Sequence, residues 1–160
     1  MRLESGNKLP AGLRTLLRLQ YLLVFAVVAV AVWVWVPEPA AVAGSARVGL
    51  VLAASYVWFC AALNLLRVAE HRSVDLPGVL AFMVLLMAAA LVALLLSPLP
   101  GALLVLASVA LLQLPEKTTV LAQCWPTVWL AGRSQQGRLL LVALASITLA
   151  LWYPANWPMS

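Results

Sequence analysis

The stretch Gly78–Leu96, GVLAFMVLLMAAALVALLL, decides the fold, because its 19 residues include no charged, amide or hydroxyl side chain. At 1.5 Å per residue it makes a helix of about 28 Å, close to the ~30 Å hydrocarbon core of a bilayer. It has no polar stripe at the helical period, so such a helix would be apolar all round, as a lipid-embedded or fully buried helix is. Ser97-Pro98-Leu99-Pro100-Gly101 ends it abruptly. On the other side stands the charged turn Arg67-Val68-Ala69-Glu70-His71-Arg72-Ser73-Val74-Asp75, which cannot remain in hydrocarbon.

Working outward, four more apolar runs follow the same logic, at Leu19–Val36, Val48–Leu66, Gly101–Leu114 and Leu139–Tyr153. The whole chain of 160 residues is 65% hydrophobic and 9% charged, against about 25% charged in an ordinary soluble domain. A water-soluble globule is excluded. The expected fold class is an all-α integral membrane protein, a five-span helical bundle over residues 19–153. A basic cytoplasmic tail (1–18) precedes it and a short C-terminal tail (154–160) follows. Four spans plus a re-entrant or interfacial segment is the alternative.

That alternative arises from the fourth run, where Gly101–Leu114 gives only 14 residues, about 21 Å of helix. Extending it past Pro115 would bury Glu116 and Lys117 at about 2.5–3.5 kcal/mol each near the bilayer centre, while mismatch costs fractions of a kcal/mol per Å. Local thinning is therefore as good a solution as extension. Thr118–Gly132 reads as an interfacial segment, with Trp125 and Trp129 one turn apart, and the polar run Arg133-Ser134-Gln135-Gln136-Gly137-Arg138 reads as lying outside hydrocarbon. The first run raises a separate question, since Ala41-Val42-Ala43 before Gly44 fits a signal-peptidase site. The run is longer than the usual 7–15 apolar residues of such a signal, which favours an uncleaved anchor over a cleaved segment 1–43.

Charge orients the bundle. Lys and Arg total 10 and Asp and Glu total 5, a formal +5. With five crossings and the N-terminus inside, Arg2, Lys8, Arg14, Arg18, Arg67, Arg72, Lys117, Arg133 and Arg138 fall on the inner side and Arg47 alone on the outer. A re-entrant fourth segment would lower that ratio of 9 to 1 to 6 against 4. The positive-inside rule prefers five spans, with the N-terminus in the cytoplasm of a bacterial inner-membrane protein. The basic residues form no recognised nucleic-acid module, so the expected partners are membrane lipids and other integral membrane proteins, and no nucleic acid.

No catalytic, cofactor or metal site is expected. All five acids, Glu4, Glu38, Glu70, Asp75 and Glu116, lie outside the apolar runs, which are also free of basic charge. His71 is the sole histidine and sits in the charged turn. Cys60 and Cys124 form no CxxC pair and read as small buried hydrophobes. The hydroxyls Ser55, Ser108, Ser146 and Thr148 have no base beside them and are expected to bond to their own helix carbonyls or across helix pairs. Asn64 and Gln113 are amides that must find partners, with water near a helix end as one source.

Three sets of residues remain as candidate sites. Gly49, Ala53 and Ala61, with Ala81, Ala89 and Ala93, form small-residue stripes suited to helix packing or a partner face. Trp33, Trp35, Trp125, Trp129, Trp152 and Trp157 suit interfacial anchoring. Tyr56, Trp58 and Asn64 could line a groove. The expected function is a small non-enzymatic accessory, assembly or structural subunit of a membrane complex. The alternative is a carrier or channel for a neutral or lipid-like molecule, and a lipid-active enzyme using the Glu70–Asp75 turn ranks third.

Overall fold

The computed structural model describes residues 10–36, 39–70, 76–117 and 123–156, and among them all regular structure is helical. Five helices follow one another: α1 Ala11–Trp33, α2 Pro39–Glu70, α3 Leu76–Leu95, α4 Pro98–Lys117 and α5 Thr127–Asn156. All five are long and apolar enough to cross a membrane. Proline marks their starts: Pro10 caps α1, Pro39 and Pro98 open α2 and α4, Pro77 is the second residue of α3, and Pro126 precedes α5. At a helix's first turn the missing N–H would have had no partner, and the fixed φ already suits the helix.

This use of proline corrects two boundaries. The fourth helix begins at Pro98 rather than Gly101 and runs through Pro115 to Lys117, so its 20 residues reach about 30 Å and the short-span reading falls. The second helix begins at Pro39, so Ala41–Gly44 is helical and the element has 32 residues. A third correction concerns the last helix. No interfacial segment separates Trp129 from the final apolar run, because α5 continues from Thr127 through Arg133–Arg138 to Asn156 without a break. The polar run sits inside the helix, since two of its members, Arg133 and Gln136, find buried positions on its inward face.

Helix α2 is the hub, touching each of the other four, while α1, α3, α4 and α5 surround it. Sequential neighbours run antiparallel and α1 and α5 run parallel, as Tyr21 meets Gln135 and Trp35 meets Ser146 further along both helices. The core consists of small and branched residues, among them Val24, Val27, Ala53, Val57, Ala61, Ala90, Val105 and Leu144. Close approach is built on absent side chains. A methyl group added at Gly49 would lie 2.8 Å from Ile147 Cδ1 and 3.0 Å from Val30 Cγ1, so side chains of α5 and α1 pack directly on the α2 backbone there. A methyl at Gly101 would lie 2.5 Å from the Ala93 carbonyl oxygen, which fixes the tight α3–α4 turn.

Outside, the surface is apolar along all five helices, with Leu22, Val32, Leu66, Leu85, Leu95, Leu114 and Val142 more than half exposed. In water this arrangement would be costly at about 25 cal/mol per Å² of apolar area. In hydrocarbon it costs nothing.

Candidate functional site

Among the described residues six polar side chains are buried: Gln20, Asn64, Ser108, Gln113, Arg133 and Gln136. Five of them gather toward one end of the bundle, the end at which α1 and α5 start and α2 and α4 finish. Each is delivered by helical spacing. On α5, Trp129, Arg133, Gln136 and Leu140 recur at i, i+4, i+7 and i+11, one inward face. On α2, Tyr56, Cys60 and Asn64 recur every four residues and turn inward as well.

The contacts interlock the helices. The Tyr56 hydroxyl donates to Gln136 Oε1 at 3.4 Å, and Gln136 Nε2 donates to the Leu17 carbonyl at 3.2 Å, joining α2, α5 and α1. Gln20 Nε2 donates to Cys60 Sγ at 3.5 Å. Trp125 Nε1 donates to Asn64 Oδ1 at 3.2 Å. Because Tyr56 meets Gln136 and Asn64 meets Trp125, the register puts Arg133 level with Cys60, and hence with Gln20. Gln113 of α4 packs on Gly137 of α5, where an added methyl would fall 2.6 Å from its Cδ.

A second, smaller cluster closes this end. The rings of Trp125 and Trp129 stack at 4.9 Å between centroids and 13° between planes, among Leu13, Leu16, Leu17 and Leu63. Arg67 ties it down: its Nε donates to the Cys124 carbonyl at 3.0 Å, its guanidinium lies 5.5 Å from the Trp125 ring, and its Nη1 pairs with Glu70 at 2.7 Å.

The residues singled out in the sequence are distributed differently from their expected roles. Trp125 and Trp129 are 7% and 1% exposed, so neither ring is presented outward at an interface. Their packing against α1 and α2 leucines buries far more apolar area than an outward pose would. Trp33, Trp35 and Trp152 are exposed, and Trp35 Nε1 donates to Ser146 Oγ at 2.9 Å. Trp157 and the residues His71–Asp75 lie outside the described residues. The expected groove set divides. Tyr56 and Asn64 are buried on the inward face, whereas Trp58 faces out toward α3 and donates to the Met87 carbonyl at 3.0 Å. Gly49, Ala53, Ala61 and Ala93 are buried within the bundle, Ala89 is half-buried and Ala81 is exposed.

Arg133, part of the polar run Arg133–Arg138, is 1% exposed inside α5. Its polar neighbours in sequence hid it, yet the Trp129–Arg133–Gln136–Leu140 spacing was the available signal. The hydroxyls behave as expected: Ser55, Ser108 and Thr148 each donate to the carbonyl four residues back at 2.8 Å. Among the described residues no three His, Cys, Asp or Glu side chains come together.

Beside the polar cluster, the outward face of α2 forms the floor of a trough between α1 and α3. One part, about 240 Å³, is lined by Leu19, Gln20, Leu23, Ser55 and Phe59. The other, about 500 Å³, shares Ser55 and Phe59 and continues along Trp58, Ala62, Leu91 and Leu94. Compared with protein-family models, with curated proteins and with solved structures, the chain matches none of them.

Proposed function

We propose that this chain is a non-enzymatic subunit of a membrane complex, acting in its assembly or structural support. The observation that carries the reading is the division of polarity: buried Gln20, Asn64 and Gln136 bond across elements inside the bundle, and the helices present an almost unbroken apolar surface outward. In hydrocarbon such a surface gains from packing on other helices through dispersion contacts and small-residue approach. The bacterial inner membrane with the N-terminus in the cytoplasm is the location proposed. Arg14, Arg18, Arg67, Arg133 and Arg138 all belong to the end of the bundle where α1 begins, and Arg47 to the opposite end, which is the asymmetry the positive-inside rule reads. Polymer-extracted membrane patches analysed by native mass spectrometry test the subunit reading. A heteromeric assembly of fixed stoichiometry is expected, and a monomer with no stable companion overturns it.

A second reading, a carrier for a neutral or lipid-like molecule, draws on the trough along α2, whose apolar walls and few polar groups have the make-up of small-molecule sites.

A further inference from the structure

We infer that the outward seam between α1 and α5 binds an anionic phospholipid, its headgroup phosphate held by Arg18 and Arg138 and one acyl chain laid in the groove below them. The inference goes beyond the subunit reading and rests only on residence in a bilayer.

Two hydrogen bonds bridge this seam. The Tyr21 hydroxyl donates to Gln135 Oε1 at 3.1 Å, and Trp35 Nε1 donates to Ser146 Oγ about 16 Å further along α5. Between them lies a groove of about 370 Å³ walled by Val28, Val32, Leu139 and Val142, with Trp35 and Ser146 at its far end. An arginine stands at the near end on each helix. Arg18 is exposed, three residues before Tyr21, and shares its stripe of α1 with Leu22, Phe25 and the groove residue Val32, at i+4, i+7 and i+14. Arg138 is exposed, three residues after Gln135 and four before the groove residue Val142. Its Nε donates back to the Ser134 carbonyl at 3.4 Å, which draws the guanidinium toward the level of Gln135.

Charge selects the occupant. Neither α1 nor α5 contains an aspartate or glutamate, and Glu70, on α2, is paired with Arg67. Gln135 spends its Oε1 on Tyr21, and its Nε2 adds N–H donors beside the two guanidiniums. A phosphodiester accepts from all three groups and suits the planar fork of arginine. A choline or ethanolamine headgroup also carries an ammonium, which the arginines repel, so a phospholipid of net negative charge is preferred to a zwitterionic one. Depth agrees. Side chains lean toward a helix's N-terminus, and α1 and α5 run parallel, so both guanidiniums reach toward the headgroups while the groove stays in hydrocarbon.

The test uses the full chain in nanodiscs of phosphatidylglycerol and phosphatidylcholine in equal parts with identical acyl chains, and native mass spectrometry counts the lipids still bound when the disc is stripped away. Phosphatidylglycerol is expected to be retained over phosphatidylcholine by about fivefold for each arginine, the ratio that one basic residue near a membrane surface supplies. Arg18→Gln or Arg138→Gln alone is expected to lower that preference about fivefold, and the two together to abolish it. Val142→Trp, which fills the groove, is expected to reduce retention of both lipids. Arg47→Gln removes the same charge at the opposite end and is expected to leave the preference intact. Equal retention of the two lipids, a preference that survives the double change, or an equal loss with Arg47→Gln, the mark of net charge alone, overturns the inference. So does displacement of the lipid by excess inorganic phosphate, which would make the arginines a site for the free anion. A chain that does not enter nanodiscs overturns bilayer residence and this inference with it, whereas the absence of a heteromeric assembly overturns only the subunit reading.

Discussion

Trp125 donates its indole N–H to the side-chain oxygen of Asn64 at 3.2 Å, with the asparagine fully buried and the tryptophan 7% exposed. This bond joins the end of α2 to the segment that leads into α5, and it has no sequence-local substitute because the partners are 61 positions apart. Hydrogen bonds between membrane helices average about 0.6 kcal/mol in double-mutant cycles, but a donor stranded without water costs about 1–3 kcal/mol. Asn64→Leu should therefore destabilise the protein by about 1–3 kcal/mol in a dodecyl-sulfate unfolding titration. Trp125→Phe combined with it should cost less than the sum of the two single changes, since no donor is then stranded. Strict additivity would show that the bond contributes nothing.

Glycine substitutions should separate contact from propensity. A methyl at Gly101 would lie 2.5 Å from the Ala93 carbonyl oxygen, a backbone atom that moves only if the α3–α4 turn moves. At Gly44 nothing lies within 4 Å, and the residue is inside α2. Gly101→Ala is expected to lose about 1–3 kcal/mol through overpacking, and Gly44→Ala to gain up to about 1 kcal/mol from helix propensity. The same unfolding titration reads both signs, and a neutral Gly101→Ala would mean that the turn is looser than drawn.

What the sequence made legible was whatever depends on composition over a helix length. Gly78–Leu96 could hardly be anything but a span, and α3 occupies nearly that range. Boundaries were less legible because proline has two meanings. Pro39 and Pro98 look like breakers in a one-dimensional reading, yet each opens a helix. The candidate site was nearly illegible for a different reason. Arg133 and Gln136 sit in a run polar enough to suggest a loop, and only partners on distant elements, such as Tyr56 on α2 and Leu17 on α1, make an inward face affordable for Gln136. Trp125 and Trp129 were misplaced likewise, because their leucine neighbours come from α1 and α2.

The two thiols report on the same packing. Cys60 is fully buried between α1 and α2, and Cys124 is 3% exposed within the tryptophan cluster. Neither should react with a maleimide in mild detergent on a timescale of minutes, and both should react at once in dodecyl sulfate, since labelling requires opening of the surrounding helices. Intact-mass measurement counts the adducts. Rapid labelling of Cys124 alone would show that the segment before α5 opens independently of the core.

The parallel pairing of α1 and α5 makes the proposed sidedness testable. Tyr21, midway along α1, contacts Gln135 in the first third of α5, and Trp35, two residues past the end of α1, contacts Ser146 about 16 Å further along α5. Two parallel helices separated by three others, each long enough to cross, must begin on the same side and end on the other. The one element that might have turned back is α4, but its 20 residues reach about 30 Å, the thickness of the hydrocarbon core. A protease-sensitive tag before Ala11 and another after Asn156 are therefore expected to respond oppositely in sealed inverted vesicles and, with the proposed cytoplasmic N-terminus, the first is digested and the second protected. Digestion of both would return α4 to a re-entrant segment and place both termini on one side, at the cost of the 9 to 1 distribution of basic residues.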